Sequence, residues 1–136
     1  MNDSKPATRG SVFLLDDDKF LLDMYSMKFI QQGFNVHAFL TADQALASLR
    51  DGLSPDVILF DITMPERDGF SFLQALAEEK LGAHSIKIAL TNQSSDQESA
   101  RAKTMGADDY LVKATLIPSE VVNKVAEDME RFSKKS

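Results

Sequence analysis

The segment VILFD at residues 57–61 is a run of four apolar residues that ends in a carboxylate. A second apolar run, VFLL at residues 12–15, is followed directly by Asp16, Asp17 and Asp18. The first run does not alternate with polar residues, which is typical of a central strand covered on both faces. Because neighbouring carboxylates repel and raise one another's pKa, acids gathered at strand ends are costly unless a cation or a reaction offsets their charge.

Apolar periodicity and turn signals predict five strands that alternate with five helices. We expect the strands at residues 12–15, 34–39, 57–61, 86–90 and 110–112. The first helix carries apolar residues at helical spacing, namely Phe20, Leu21, Met24, Met27 and Ile30. Because each crossover between parallel strands is right-handed and covers the sheet, this alternation predicts an α/β fold with helices on both faces.

Capping residues and glycines predict where the helices begin and end. Thr41 with Gln44, and Ser95 with Glu98, match capping boxes that open the second and fourth helices. We expect Asp18 to be the N-cap of the first helix. Glycines are expected to end the first four helices at or near Gly33, Gly52, Gly82 and Gly106, and Pro118 to start the fifth.

Acids from two strands are expected to meet at the carboxyl edge of the sheet, where function collects in such folds. If the first and third strands are neighbours, their backbones lie about 4.8 Å apart, so Asp17 and Asp61 reach a single ion. Carboxylate oxygens without imidazole or thiolate select a hard cation, and a site with few protein ligands favours Mg²⁺. We expect the backbone carbonyl of Thr63 to add a ligand beside Asp16, Asp17 and Asp61.

Two further side chains are expected at the same edge. Thr91 ends the fourth strand and Lys113 follows the fifth. Together they supply a hydroxyl donor and a positive charge, which suit a phosphoryl group. A nucleophilic carboxylate beside Mg²⁺ and lysine permits phosphoryl transfer onto Asp61, giving an acyl phosphate that water attacks later.

Composition limits the classes of partner. The chain of 136 residues fits one domain, for which we expect residues 11–132, with loose tails at 1–10 and 133–136. A net charge of −6 argues against nucleic acid and anionic membrane as partners. No stretch reaches transmembrane length. The absence of cysteine excludes disulfides and thiolate sites and agrees with a cytoplasmic location.

Five motifs in order resemble the receiver domain of two-component response regulators over nearly all of residues 11–131. Four segments carry them, namely FLLDDD, DVILFDITMPERDG, ALTN and GADDYLVK, and the last carries two of the five. The resemblance maps the acidic pair onto Asp16 and Asp17, the phosphoacceptor onto Asp61, the switch hydroxyl onto Thr91, the lysine onto Lys113 and the aromatic switch position onto Tyr110. It implies a flavodoxin-like (βα)5 fold, with five parallel strands in the order 2-1-3-4-5.

The resemblance also implies a signalling role. Phosphorylation would draw Thr91 toward the phosphoryl group and let Tyr110 turn inward, which reshapes the face formed by the fourth helix, fifth strand and fifth helix. The implied donor is a histidine kinase or a histidine phosphotransfer protein, and the output is docking to another protein or a phosphorylation-dependent homodimer. Such a protein is not an enzyme, apart from catalysing its own phosphorylation and dephosphorylation.

Two positions depart from the receiver pattern. Receivers usually follow the lysine with a cis proline, whereas this chain has Ala114, for which a cis bond costs about 3 kcal/mol. The loop therefore either keeps a cis bond under tertiary constraint or takes a trans path that brings Lys113 to the site differently. The second departure is Asn92, which is larger than the residue usual there and is hypothesised to slow phosphorylation by narrowing access.

Two alternative functions stay open on the sequence. A haloacid-dehalogenase-type phosphohydrolase also uses an aspartate nucleophile and Mg²⁺, and Asp16 with Asp18 resembles its acid pair. However, Lys19 and Phe20 follow where that family has a hydroxyl or small apolar residue. A pseudo-receiver, which keeps the fold for protein interaction without phosphorylation, is supported by Ala114 alone.

Overall fold

A computed structural model of the chain describes residues 9–64, 68–92 and 95–133. Most of the predicted tails, at residues 1–8 and 134–136, lie outside the described residues. The bounds of the domain, residues 11–132, therefore stay a proposal. No helix within the described ranges is long and apolar enough to cross a membrane.

Strands and helices alternate along the chain as predicted. The strands are β1 (Ser11–Leu15), β2 (Asn35–Phe39), β3 (Val57–Asp61), β4 (Ile86–Thr91) and β5 (Asp109–Val112). The helices are α1 (Lys19–Gln31), α2 (Ala42–Arg50), α3 (Gly69–Glu79), α4 (Asp96–Thr104) and α5 (Pro118–Ser133). A 3₁₀ turn, Lys113–Thr115, joins β5 to α5.

The five strands form one parallel sheet in the order β2-β1-β3-β4-β5, which confirms the predicted topology. The register aligns Leu15 of β1 with Phe60 of β3, and Asp61 of β3 with Leu90 of β4. The residues that follow β1 and β3 therefore emerge side by side at the carboxyl edge. This alignment, set by neighbouring strands, is what positions the functional site.

The sheet separates two apolar layers. Ile58 and Phe60 pack on the side of α2, α3 and α4, whereas Val57 and Leu59 pack on the side of α1 and α5. Every residue of β3 is buried, as expected for a central strand whose apolar run does not alternate.

Three helix starts that were predicted from capping residues are confirmed. In each, a side-chain oxygen accepts a hydrogen bond from the backbone N–H three residues later: Asp18 from Leu21 at 3.1 Å, Thr41 from Gln44 at 3.2 Å and Ser95 from Glu98 at 3.2 Å. These caps explain why each of the three helices begins shortly after a strand ends.

The predicted end of α3 near Gly82 was wrong. The helix ends at Glu79, and Lys80 takes the left-handed conformation with φ of 58°. The N–H of Leu81 donates to the carbonyl of Leu76 at 2.9 Å, and the Leu81 side chain packs against the core. This apolar contact beyond the helix end accounts for the earlier stop, because it turns the chain back toward the sheet.

The apolar residues at helical spacing in α1 lie only partly on its buried face. The buried face consists of Leu22, Tyr25 and Phe29, whereas Phe20 is 71% exposed and Met27 is 54% exposed. Ile30 is likewise exposed, at 59%. Because α1 carries apolar residues on several sides, periodicity alone did not single out a face. Packing against α5 and β2 selects the one that is buried.

Candidate functional site

Three carboxylates gather at the carboxyl edge of the sheet, as the sequence predicted. Oxygens of Asp16, Asp17 and Asp61 all lie within 4.8 Å of one another. Asp16 and Asp61 are buried, at 1% and 2% exposed, whereas Asp17 is exposed. Because β1 and β3 are neighbours in register, the backbone itself brings these acids together.

The turn after β1 fixes the orientation of Asp16. Its backbone N–H donates to the carbonyl of Phe39 at 3.2 Å, and its Oδ1 accepts from the N–H of Asp18 at 2.9 Å. Its Oδ2 is buried and accepts no hydrogen bond of good geometry among the described residues. Lys113 Nζ lies 2.7 Å from this oxygen, so the contact is an ion pair with a poor hydrogen-bond angle.

Asp61 is held from both sides. Its Oδ1 accepts from the N–H of Thr63 at 3.1 Å, and its Oδ2 accepts from Lys113 Nζ at 3.1 Å. Burial raises the pKa of Asp61 to about 6, Lys113 opposes this rise, and the charge of Asp16 adds to it. The Asp61 carboxylate therefore has a fixed orientation and is partly shielded from water.

Lys113 reaches both buried carboxylates by a trans path. None of the peptide bonds within the described ranges is cis, so the bond from Lys113 to Ala114 is trans. The lysine begins the 3₁₀ turn, and its side chain is 9% exposed. Burial lowers the pKa of Lys113, but Asp16 and Asp61 outweigh burial and the pKa is raised overall. Ala114 therefore does not remove the lysine from the site.

The carboxylate group fits a hard divalent cation. Its donors are oxygens, and the buried Oδ2 of Asp16 lacks a well-formed hydrogen bond, as expected of an atom that a cation would complete. An open cleft of about 450 Å³ adjoins the group. The cleft is lined by Asp17, Asp18, Leu21, Asp61, Thr63, Met64, Asn92 and Lys113. Thr63 and Asn92 thus line the same cleft as Asp61.

Thr91 and Tyr110 share a hydrogen-bond acceptor, Glu98, which the sequence did not place in the site. The Thr91 hydroxyl donates to Glu98 Oε1 at 2.8 Å, and the Tyr110 hydroxyl donates to the same oxygen at 2.8 Å. Burial and the hydrogen bond to Glu98 both raise the pKa of Tyr110. The sequence pattern predicts Glu98 only as half of a capping box. The available signal was its position four residues before Ala102, the buried residue of α4.

Comparison with known proteins agrees with this geometry. The family model described as the response regulator receiver domain matches residues 12–126. The chain belongs to this family. Response regulator SaeR of Staphylococcus aureus is 28% identical over 123 residues, which are 90% of this chain and 52% of SaeR. The receiver domain therefore spans about half the length of the curated relatives that it matches.

Solved receiver structures resemble the chain closely in fold. A CheY-like receiver domain protein from Methanospirillum hungatei is 25% identical with a TM-score of 0.81, covering 93% of this chain and 98% of that one. The BeF3-activated receiver domain of DrrB, a Thermotoga maritima protein, is 28% identical with a TM-score of 0.75. That match covers 89% of this chain and 97% of the DrrB domain.

Family membership narrows the alternatives. Receiver domains generally signal and do not act as ordinary enzymes, and they bind a divalent metal at an acidic cluster such as the one formed by Asp16, Asp17 and Asp61. A phosphohydrolase of the haloacid dehalogenase type would need Asp18 as its second acid, whereas Asp18 caps α1. Ala114, which supports the pseudo-receiver alternative, does not prevent Lys113 from contacting Asp61.

Proposed function

We propose that this receiver domain is a phosphoacceptor switch that takes a phosphoryl group on Asp61 in a Mg²⁺-dependent reaction. The observation that carries the proposal is the contact of Lys113 Nζ with Asp61 Oδ2, within a group of three carboxylates. An ammonium group and a nucleophilic carboxylate in contact are what phosphoryl transfer to an aspartate requires.

In the proposed reaction an Asp61 oxygen attacks the phosphorus atom of a phosphohistidine. The new O–P bond forms as the P–N bond breaks, and the imidazole leaves with the electron pair and is protonated. Lys113 neutralises charge on the transferred oxygens, and Thr91 donates a hydrogen bond to one of them. Asp16, Asp17, Asp61 and the carbonyl of Thr63 would hold Mg²⁺, whose positive charge stabilises the same oxygens when it is bound.

Partners follow from the family and from charge. Response regulators interact with histidine kinases or histidine phosphotransfer proteins, and we assign the phosphodonor of this chain to that class. The face of α4, β5 and α5 carries the output to a downstream protein or to a second copy of the chain. A net charge of −6 favours a protein over nucleic acid as the partner of this domain.

The lack of cysteine agrees with action in the cytoplasm.

Asn92 is proposed to slow the reaction. It is exposed and lines the cleft beside Asp61. Its amide narrows the approach of a phosphodonor, so Asn92→Ala is expected to be labelled faster than wild type. Equal initial rates would contradict this part of the proposal.

Intact mass spectrometry tests the proposed function. With a small phosphoramidate donor and Mg²⁺, the wild-type chain should gain one phosphoryl group and Asp61→Asn should gain none. Asp68→Asn is the matched control, because Asp68 caps α3 through the N–H of Ser71 and asparagine caps helices equally well. The control should be labelled like wild type. Equal labelling of wild type and Asp61→Asn would contradict the proposal.

A further inference from the structure

We propose that Glu98 is a positioning residue that holds Thr91 and Tyr110 away from their phosphorylated arrangement and must release Thr91 when Asp61 is phosphorylated. This inference rests on the proposed function, since it concerns the reactivity of the same site. It assigns a role to a side chain on α4 that none of the five receiver motifs contains.

The Glu98 carboxylate is a charged, partly buried hydrogen-bond acceptor that two hydroxyl groups share. One oxygen, Glu98 Oε1, accepts from the hydroxyls of Thr91 and Tyr110, each at 2.8 Å. Thr91 is 3% exposed, and Glu98 and Tyr110 are half-buried. Hydrogen bonds to an ionised acceptor are stronger than those between neutral groups, and shielding from water strengthens them further.

The resting and phosphorylated arrangements of Thr91 exclude each other, because its hydroxyl has a single proton to donate. A threonine hydroxyl has one proton, so Thr91 donates either to Glu98 or to a phosphoryl oxygen on Asp61. Thr91 directly follows Leu90, which is the register partner of Asp61 on the neighbouring strand. The Thr91 hydroxyl therefore lies at the end of β4, where the Glu98 carboxylate and a phosphoryl group on Asp61 would compete for its proton. Phosphorylation must supply an acceptor that outcompetes the Glu98 carboxylate.

The cap of α4 does not use the Glu98 carboxylate. Ser95 Oγ accepts from the backbone N–H of Glu98 at 3.2 Å, and a replacement of the glutamate side chain leaves that N–H in place. The carboxylate is directed instead to the two switch hydroxyls. Glu98→Ala therefore removes the shared acceptor while retaining the Ser95 cap, and alanine is a good helix former.

Labelling kinetics test the inference. Glu98→Ala should be phosphorylated about tenfold faster by a small phosphoramidate and should lose its phosphoryl group more slowly, because one charged hydrogen bond no longer opposes the movement of Thr91. Glu98→Gln keeps a neutral acceptor and should show a smaller change in the same direction. Asp96→Ala removes an exposed carboxylate from the first turn of α4 and should match wild type.

A double-variant cycle separates positioning from a merely structural role. If Glu98 acts through Thr91, then Glu98→Ala should change the labelling rate in wild type but not in Thr91→Ala. An equal change in both backgrounds would overturn the inference, and so would equal rates for wild type and Glu98→Ala.

A measurement without phosphorylation keeps the inference distinct from the proposed function. The chain has two tyrosines, Tyr25 and Tyr110, so fluorotyrosine labelling gives two resonances in ¹⁹F NMR. Glu98→Ala should shift the Tyr110 resonance and leave that of the buried Tyr25 in place. An unchanged Tyr110 resonance would overturn the inference. A wild-type chain that no donor labels would overturn the proposed function, but it would not contradict the contact of Glu98 with Thr91 and Tyr110 in the unphosphorylated state.

Discussion

Lys113 and Asp16 form a buried ion pair, with 2.7 Å between Nζ and Oδ2. The same ammonium lies 3.1 Å from Asp61 Oδ2, so one positive charge serves two buried carboxylates. The group therefore keeps excess negative charge, to which the exposed Asp17 adds. This excess negative charge gives the site its affinity for a divalent cation. Lys113 and the cation can therefore each compensate part of the same charge.

Lys113→Ala is expected to unfold more easily without divalent cations. Removing the shared ammonium leaves Asp16 and Asp61 buried without compensation, which costs about 3 kcal/mol in the free energy of unfolding. Mg²⁺ should restore part of this loss, because the variant no longer places a positive charge against the cation.

Urea denaturation with and without saturating Mg²⁺ measures both effects. Lys103→Ala is the control, since it removes an exposed lysine from α4. The control should lose little stability and respond to Mg²⁺ as wild type does. A loss in Lys113→Ala that Mg²⁺ does not reduce would contradict the account of shared charge.

Gly69→Ala is expected to disturb the strand that carries Asp61. A Cβ at position 69 would lie 2.7 Å from the carbonyl oxygen of Asp61 and 2.7 Å from the Cα of Ile62. Both neighbours are backbone atoms that cannot rotate away, so we expect a loss of about 2 kcal/mol in the free energy of unfolding.

The same substitution should slow labelling of Asp61, because the end of β3 must shift. Ser71→Ala, at an exposed position two residues further along α3, is the control and should change neither property appreciably. Wild-type stability of Gly69→Ala in urea would show that α3 and β3 are less closely packed than described.

The strands and the acidic edge could be predicted from the sequence because each has a local cause. The apolar run before Asp61 predicts a central strand, and parallel strands end at a common edge, so acids distant in sequence converge there. Topology alone brings Lys113 to the same edge. The trans bond before Ala114 was left open by the sequence, because the same residues are compatible with two loop paths.

Glu98 and the buried face of α1 depend on packing that no local pattern contains. The carboxylate of Glu98 had a local partner available in the capping box, and the contact with Thr91 and Tyr110 forms only when α4 lies against β4 and β5. In α1, Leu22 and Phe29 are buried because α5 and β2 cover that side. Apolar residues on the other sides of α1 made its periodicity ambiguous.

Asp128→Asn is expected to make the domain more stable at high pH. Asp128 of α5 is 6% exposed, and its Oδ2 has no hydrogen-bond partner among the described residues. Burial, and then the nearby Asp109 of β5, raise the pKa of Asp128 to about 7, although Arg131 lowers it. The folded state therefore holds a proton that the unfolded chain releases near its ordinary pKa.

The direction of the pH dependence follows from the difference between the pKa of Asp128 in the folded and unfolded states. With a folded pKa above the unfolded value, the stabilisation is complete below the ordinary pKa and is lost as pH rises to about 7. Asparagine stays neutral, so Asp128→Asn should gain about 2 kcal/mol over wild type between about pH 5.5 and about pH 8. Glu78→Gln, which changes an exposed carboxylate on α3, is the control and should follow wild type. A parallel pH profile for Asp128→Asn and wild type in urea denaturation would contradict the assignment.

The most direct measurement locates the phosphoryl group after labelling. Borohydride reduces an aspartyl phosphate to homoserine, which peptide mass spectrometry detects at a defined position. Wild-type chain treated with a phosphoramidate and Mg²⁺ should yield homoserine at position 61 and aspartate at positions 16 and 17. Homoserine at another position, or none after exhaustive labelling, would contradict the claim that Asp61 is the phosphoacceptor.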